Sequence, residues 1–374
     1  MKKVAVLGCS GSVGKTALRV LDNLKDEFRI ELLANESQLS FLIRELKARS
    51  VKNVFCKNKK YLFCEGKEVD FRADYLSDPE TYRDIDIVIN GIGGIAGLAP
   101  SDAVLKAGKI LATANKESIV CAGNFLRKDQ NESAKIYPLD SEHSTVWQCL
   151  GNDLANVEKI ILTASGGAFR DKTKKELYSV TAENALRHPN WIMGKKITID
   201  CATLLNKGLE IIEAKRLFGI PNVHAVLHRE SIIHSLVEMK DGALIAGLSN
   251  PDMAIPIQYA LTYPKRVSSR VRPLCLEDIG ALHFEKIDEE RFPCFSIAKK
   301  VSEYGDYAGT VLVAADEIAV RAFMQNRIRF YDMNAVIEHA LQRFGFAGGI
   351  HSVDEAYGIY EAVQEYTKEY VEEI

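Results

Sequence analysis

The chain opens with Val4-Ala5-Val6-Leu7, an apolar run that stops at Gly8 and continues as Cys9-Ser10-Gly11-Ser12-Val13-Gly14. Leu18, Leu21 and Leu24 then recur at helical spacing. An unbroken apolar run suits a strand buried on both faces, as in a parallel sheet. Glycines at every third position let the backbone turn tightly and approach a pyrophosphate at the start of the next helix. Strand, glycine turn and helix in that order open a βαβ unit of the dinucleotide-binding type. A purely structural tight turn is the competing meaning of the same glycines.

Further apolar runs extend this pattern into an α/β fold. Ile30–Leu33, Val54–Cys56, Ile85–Asn90 and Lys109–Ala112 read as strands of the same sheet, giving a doubly wound, Rossmann-like domain over residues 1–139. Residues 140–263 mix strands and helices and form a central α+β catalytic domain. Lys159–Thr163, Ile197–Asp200 and Ala225–Leu227 read as strands and Leu204–Phe218 as a helix. Ser231–Glu238 and Ala243–Leu248 flank Lys240-Asp241-Gly242 as a hairpin. Residues 264–292, with Pro264 and Pro273 and many charges, read as a linker. Residues 293–374 read as a C-terminal helical bundle, with Ser352-Val353-Asp354-Glu355 as a capping box.

Composition narrows the function. With 48 basic and 51 acidic side chains the net charge is −3, so no bulk attraction to nucleic acid is expected. No apolar stretch approaches the ~18 residues of a membrane span, and no secretory signal is expected. None of the eight cysteines forms a CxxC pair, which suits reduced thiols in a cytoplasmic protein.

Several polar clusters point to chemistry. Asp140 and Glu142 in Leu139-Asp140-Ser141-Glu142-His143 stand at i and i+2, on one side of an extended segment. They read as ligands for a hard divalent ion, Mg²⁺ or Mn²⁺, or as a solvated loop. Arg187-His188-Pro189-Asn190-Trp191-Ile192-Met193-Gly194 has the look of a mobile flap over a ligand. Asn206, Lys207 and Glu210 share a helix face. Beside Thr163-Ala164-Ser165-Gly166-Gly167 they suit a phosphate site with a third carboxylate, or an ordinary surface salt bridge. Asn115-Lys116-Glu117-Ser118 follows a strand at the edge where such sheets bind ligands, and a plain helix start is its alternative. After the second strand, Asn35-Glu36-Ser37 offers a carboxylate for a ribose hydroxyl and no neighbouring cation for a 2′-phosphate. This loop does not decide between NADH and NADPH.

Taken together, GCSGSVG, ATANKES, LDSEHS, SGGAF, RHPNWIMGKKITIDCATLLNKGLE and HSLVEMKDGALIAGLSNPDMAIPIQYAL resemble the 1-deoxy-D-xylulose 5-phosphate reductoisomerase family. RFPCFSIA and VLVAADEIAVRAF extend the resemblance into the C-terminal helices. It implies divalent-metal ligation by Asp140, Glu142 and Glu210, with Glu142 as a proton shuttle. It implies substrate contacts from Ser141, Ser165, His188, Asn206 and Lys207, and a substrate-binding role for Lys116 near the reacting carbons. Ser10, Gly11, Ser12, Val13, Asn115, Glu117 and Gly194 match NADPH-contacting positions, Trp191 and Met193 match the flap, and His228 matches a histidine behind the site. The implied reaction is metal-assisted retro-aldol cleavage and aldol recombination of the xylulose phosphate, then reduction by NADPH to 2-C-methyl-D-erythritol 4-phosphate. A small-molecule sugar phosphate and a homodimeric assembly are the implied partners, with neither nucleic acid nor membrane.

The chain departs from the family at four places. Cys201 stands where a serine contributes a hydroxyl to the phosphate site. Asn35-Glu36-Ser37 replaces the loop that receives the 2′-phosphate. Cys9 replaces a serine, and Arg229-Glu230 replaces Pro-Gln. These changes leave open a related nicotinamide-dependent reductase acting on another phosphorylated aldehyde or ketone.

Overall fold

The computed structural model describes residues 1–128, 130–151, 153–187 and 194–374. In chain order the first elements are β1 (Lys2–Leu7), α1 (Ser12–Asn23), β2 (Phe28–Asn35), α2 (Leu39–Arg49), β3 (Asn53–Cys56), β4 (Tyr61–Cys64), β5 (Lys67–Val69) and β6 (Ile87–Asn90). There follow α3 (Leu98–Lys106), β7 (Ile110–Thr113), α4 (Lys116–Lys128), β8 (Lys135–Pro138), α5 (Ser141–Leu150) and β9 (Val157–Ala164). Next come α6 (Lys174–Leu177), α7 (Ala182–Ala185), α8 (Lys195–Ala202), α9 (Leu205–Phe218), β10 (Val223–Leu227), β11 (Ile233–Met239) and β12 (Leu244–Leu248). The chain ends with α10 (Ala254–Thr262), α11 (Leu276–Ile279), α12 (Pro293–Val301), α13 (Asp306–Met324), α14 (Asp332–Phe344) and α15 (Val353–Glu373).

Contacts divide the chain into two units. One holds residues 1–118, 126–144 and 252–271, and the other 119–125, 145–251 and 272–374. This differs from the expected segments, because α10 and the residues after it join the N-terminal unit. There α10 packs on α1, the Arg19 guanidinium meets Asp252 at 3.3 Å, and Tyr263 stands edge-on to Tyr137 at 5.5 Å.

The first unit is built on an eight-stranded sheet of order β5-β4-β3-β2-β1-β6-β7-β8. β3, β2, β1, β6, β7 and β8 run parallel, while β4 and β5 add an antiparallel edge. The order reverses at β1, so the crevice beyond β1 and β6 is the topological switch point. Val4 to Leu7 are fully buried, as an all-apolar central strand requires. Gly8 turns out of β1 with φ +72°, and a Cβ there would lie 2.5 Å from the Gly91 carbonyl oxygen beyond β6. Glycine is therefore required on conformational and spatial grounds together.

In the second unit a four-stranded sheet runs β10-β9-β11-β12, with β9 and β10 parallel and β11 antiparallel to β9 and β12. The β11–β12 hairpin turns at Lys240-Asp241-Gly242, with Gly242 at φ +88°. α9 carries eleven buried residues, and a Cβ on Gly208 would come 2.3 Å from that of Ala298 on α12. α13, buried along most of its length, packs against α14 and α15.

Three expectations are corrected. Ile197–Asp200 is helix, within α8: its alternation of β-branched residues mimics a strand, but Thr198, Ile199 and Asp200 are all buried and Lys196 pairs with Asp200 one turn on. The Asp140–Glu142 segment is not extended, because α5 starts at Ser141 with Ser144 N–H donating to the Asp140 carbonyl at 2.8 Å. At α15 only half the capping box forms. The Ser352 hydroxyl accepts from Glu355 N–H at 3.0 Å, while the Glu355 carboxylate accepts from His351 N–H at 2.7 Å.

Gly8→Ala is expected to lose about 2–4 kcal/mol, from a left-handed alanine and from overpacking against Gly91. Gly66→Ala, at φ +91° with open space around it, should lose only the conformational part. Urea denaturation of both variants checks this, and equal losses would show that the Gly91 approach costs nothing.

Candidate active site

The nucleotide edge of the first unit begins where β1 ends. Gly11 N–H closes the turn onto the Gly8 carbonyl at 3.0 Å, and α1 starts without a side-chain cap. The first amides of α1, at Ser12 and Val13, therefore face outward without a side-chain acceptor at Gly11, the arrangement that favours an anion. Ser10 and Val13 are half-buried and Gly11 and Ser12 exposed. Cys9 is fully buried, and burial pushes its thiol up to about 12, which disfavours the reactive thiolate.

Asn115 closes the β7 end of this edge. Its amide donates to the Gly94 carbonyl at 2.8 Å and to Glu117 at 3.2 Å, and its oxygen accepts from Ser118 N–H at 3.3 Å. It is 1% exposed and holds the loop after β6 against the start of α4, while Glu117 stays half-buried. Beyond β2 the Asn35 amide donates to the Gln38 carbonyl at 3.1 Å, and Glu36 and Ser37 are exposed.

Lys116, the first residue of α4, is 5% exposed and places its ammonium 2.7 Å from Asp140 Oδ2. Burial opposes an ionised Asp140, yet Lys116 and then His143 outweigh it and hold the carboxyl well below its ordinary value. Asp140 Oδ1 also accepts weakly from Glu142 N–H at 3.4 Å. The carboxylates of Asp140 and Glu142 lie within 4.8 Å of each other, and Ser141 donates to Glu142 at 2.6 Å. The two carboxylates thus converge at a helix start, where a cation, the N-terminal dipole and hydroxyl donors make the density of negative charge tolerable.

In the second unit Glu210 is 2% exposed on α9. Asn206 donates to its Oε1 at 2.6 Å and Lys207 pairs with its Oε2. Lys207 is 4% exposed, so this is a buried pair and the surface-bridge alternative falls. Leu204, at φ +58°, turns the chain from α8 into α9 and sets this face. Gly167, at φ +64°, lets the Ser165-Gly166-Gly167 loop approach α8, since a Cβ there would sit 2.3 Å from the Cys201 carbonyl oxygen. Ser165 and Cys201 are both half-buried beside this contact. Gly194 is exposed and caps α8, accepting from the Thr198 hydroxyl at 2.8 Å. His188, Trp191 and Met193 lie outside the described residues.

His228 is fully buried against Phe284, the rings stacked at 4.9 Å. Its Nε2 accepts from Ile233 N–H at 3.1 Å, so the proton belongs on Nδ1, which faces the His283 carbonyl at 3.0 Å and Glu230 at 3.1 Å. The Arg229-Glu230 departure is accommodated by new partners. Arg229 bridges Asp171 and Glu285, each at 2.5 Å, while Glu230 spans His228 and His283. Sequence reasoning missed His283 and Glu285, for which no local motif exists. It also missed Lys196, which ties the buried Asp200 of α8 to the buried Asp316 of α13.

A glycine turn at the switch point of a doubly wound sheet defines a protein of the dinucleotide-binding class. Comparison with known proteins gives the particular family. Residues 4–123 match the model of 1-deoxy-D-xylulose 5-phosphate reductoisomerase, and residues 136–218 and 248–370 match models of its C-terminal domains. The enzyme of that name from Geobacillus sp. (strain WCH70) is 45% identical, covering 92% of this chain and 94% of its own. That of Listeria monocytogenes (strain EGD-e) is 42% identical, over 92% and 93%. A crystal structure of DOX-P reductoisomerase with NADPH, fosmidomycin and magnesium superposes with a TM-score of 0.91 at 32% identity, covering 100% of this chain and 98% of that one. The Zymomonas mobilis enzyme in complex with NADPH gives 0.90 at 32%, covering 100% of both. The chain belongs to the 1-deoxy-D-xylulose 5-phosphate reductoisomerase family, whose members are NADPH-dependent oxidoreductases.

Two outcomes follow from the buried charges. Lys207→Met should cost about 3–5 kcal/mol by stranding Glu210, and adding Glu210→Gln should restore most of it. Urea titrations with chelator present check both, and additive losses would mean the pair is not coupled. Because the native pKa of Asp140 lies below its unfolded value, its contribution is complete above pH 3.8 and is lost as pH falls from there toward the native pKa. The stability gap between wild type and Asp140→Asn should therefore be flat at neutral pH and narrow below that point, as pH-resolved urea midpoints would show.

Proposed function

We propose that this chain converts 1-deoxy-D-xylulose 5-phosphate to 2-C-methyl-D-erythritol 4-phosphate with NADPH and Mg²⁺ or Mn²⁺. The observation that carries the reading is the carboxylate set: Asp140 held ionised beside Lys116 with Glu142 within 4.8 Å, and Glu210 presented on a buried face by Asn206 and Lys207. Oxygen-only donors of this kind suit a hard divalent ion. The glycine cradle and uncapped α1 amides suit a dinucleotide pyrophosphate.

Asp140, Glu142 and Glu210 would hold the metal. When bound, the metal supplies a Lewis acid for the substrate's adjacent oxygens and NADPH supplies the hydride. Lys116 is shared between Asp140 and the reacting end of the substrate, stabilising negative charge on oxygen. Glu142, with Ser141 already donating to it, moves the proton between substrate hydroxyls. Ser165, Asn206 and Lys207, with His188 and Ser141, bind the sugar phosphate and its backbone, and Cys201 offers a weaker donor where a hydroxyl would be stronger. By the family resemblance Trp191 and Met193 belong to a flap, whose role would be to exclude water from the substrate. Ser10 to Val13, Asn115, Glu117 and Gly194 line the cofactor.

In this reading residues 1–139 bind nucleotide, 140–251 carry the chemistry, 252–271 pack within the nucleotide-binding unit and 293–374 support the second unit. Its working form is a cytoplasmic homodimer, in keeping with the family and with eight free cysteines.

Chelation is expected to reduce turnover of the xylulose phosphate to background, with recovery on adding Mg²⁺ or Mn²⁺. Asp140→Asn should lose at least about 100-fold in kcat while its Kd for NADPH, read by nucleotide fluorescence, stays within about twofold. Normal turnover by metal-stripped protein would sink the metal assignment.

A further inference from the structure

The family's cofactor carries a 2′-phosphate, yet the loop after β2, Asn35-Glu36-Ser37, contains no cation and exposes a carboxylate. A phosphomonoester bears a charge of about −1.5 to −2 at neutral pH, so a lone Glu36 in its place would repel it. Some other part of the chain must supply the positive charge.

The sheet places one there. β3 runs parallel to β2 with Cys56 registered against Asn35, so the turn after β3 emerges at the same edge as the loop after β2 and the glycine turn after β1. That turn reads Lys57-Asn58-Lys59-Lys60, and all four residues are exposed. It is a compact turn, with Lys60 N–H donating to the Lys57 carbonyl at 3.1 Å and Lys60 at φ +45°. It is also clipped to the cofactor loop. Lys57 N–H donates to the Asn35 carbonyl at 3.2 Å and Asn58 N–H to the Glu36 carbonyl at 2.7 Å. Beneath them the Cys56 thiol reaches Asn35 Oδ1 at 3.4 Å and the Glu36 carbonyl at 3.7 Å.

The charges in this turn are uncompensated. Among the described residues no carboxylate lies within ion-pair distance of Lys57, Lys59 or Lys60, whereas Arg72 in a nearby turn pairs with Asp74 and Asp78. Three ammonium groups without an ion-pair partner, carried on a turn whose backbone is fastened to the loop that follows β2, concentrate positive charge at this edge.

We propose that the Lys57–Lys60 turn binds the 2′-phosphate of NADPH, replacing the cationic loop that this chain lacks after β2. The proposal rests on NADPH being the cofactor. With Glu36 left to meet the ribose 3′-hydroxyl or solvent, selectivity for NADPH comes from lysine charge one strand further out. Point charges on flexible stems give strong attraction with little geometric demand, so affinity should depend steeply on salt.

The test is direct binding to the full-length, metal-free, substrate-free chain, by calorimetry and nucleotide fluorescence, using NADPH, NADH, 2′-AMP and 5′-AMP. For the triple variant K57Q/K59Q/K60Q the expected result is loss of at least about tenfold in affinity for NADPH and 2′-AMP, with NADH and 5′-AMP within about twofold. The salt dependence of NADPH binding should flatten in parallel. Glu36→Gln should tighten NADPH by a few fold. Because the lysines are exposed, circular dichroism should show an unchanged fold. Should any loss appear equally for NADH, the single variants Lys57→Gln and Lys59→Gln repeat the comparison, and equal losses there overturn the proposal. If the triple variant binds NADPH and 2′-AMP as wild type does, while wild type still prefers NADPH to NADH, the turn is not the site and the cofactor reading stands. If wild type itself shows no preference for NADPH, the cofactor reading fails and the proposal with it.

Discussion

A carboxylate stays ionised away from water only beside a cation or a sufficient set of donors, and the candidate site satisfies this requirement twice. Lys116 meets Asp140 in the first unit and Lys207 meets Glu210 in the second. Each pair costs desolvation free energy that packing apolar side chains would avoid, so neither is explained by stability alone. Under the proposed function each pair keeps a carboxylate ionised for a divalent ion and a lysine charged for an anionic substrate.

The surrounding structure exists largely to hold these side chains at fixed positions. Asp140 sits at the start of α5 because β8 ends at Pro138, and Lys116 sits at the start of α4 because β7 ends at Thr113. β7 and β8 are adjacent and parallel, with Thr113 registered on Pro138, so the two helix starts face the same edge. Glu210 is placed by a different device. Leu204 reverses the chain in a left-handed conformation, and α9 is then pinned on Gly208 against Ala298. The site thus rests on strand ends and helix starts, which tolerate less displacement than loops would.

The opening strand, its glycine turn and the following helix were legible from the first 24 residues, because an apolar run and a glycine period have few other solutions. The clustered polar side chains were legible too, as motifs whose chemistry is unusual: Asp140 with Glu142, and Asn206 and Lys207 with Glu210. What failed were the readings that depend on context. Ile197-Thr198-Ile199-Asp200 alternates like a strand, yet Lys196 to Asp200 pairing and burial of three successive residues belong to a helix. Asp140 and Glu142 converge through a helix cap, which a period-of-two argument does not contain. The partners of Arg229 and Glu230, namely Asp171, Glu285 and His283, are more than 50 residues away along the chain and carry no local signal. The lysines near the cofactor loop were hidden in the same way, since only the parallel pairing of β2 with β3 brings Lys57 beside Asn35.

The location of that lysine turn follows from where a sheet can accept change. β1 is buried on both faces, and Gly8 is fixed by the Gly91 carbonyl, so any alteration at the centre disturbs packing. Asn35 is likewise committed, buried and bonded to Gln38, Cys56 and Lys57. Charge placed there would require a new buried partner. The turn from β3 to the antiparallel β4 lies in solvent, where three lysines cost almost nothing in desolvation and their mutual repulsion is screened within about 10 Å. Fastened by two backbone hydrogen bonds to the cofactor loop, it has the position of a binding residue with the freedom of a surface one. Recognition of a phosphate by charge, unlike recognition of a carbonyl or a metal by geometry, can be moved to such a turn without rebuilding the core.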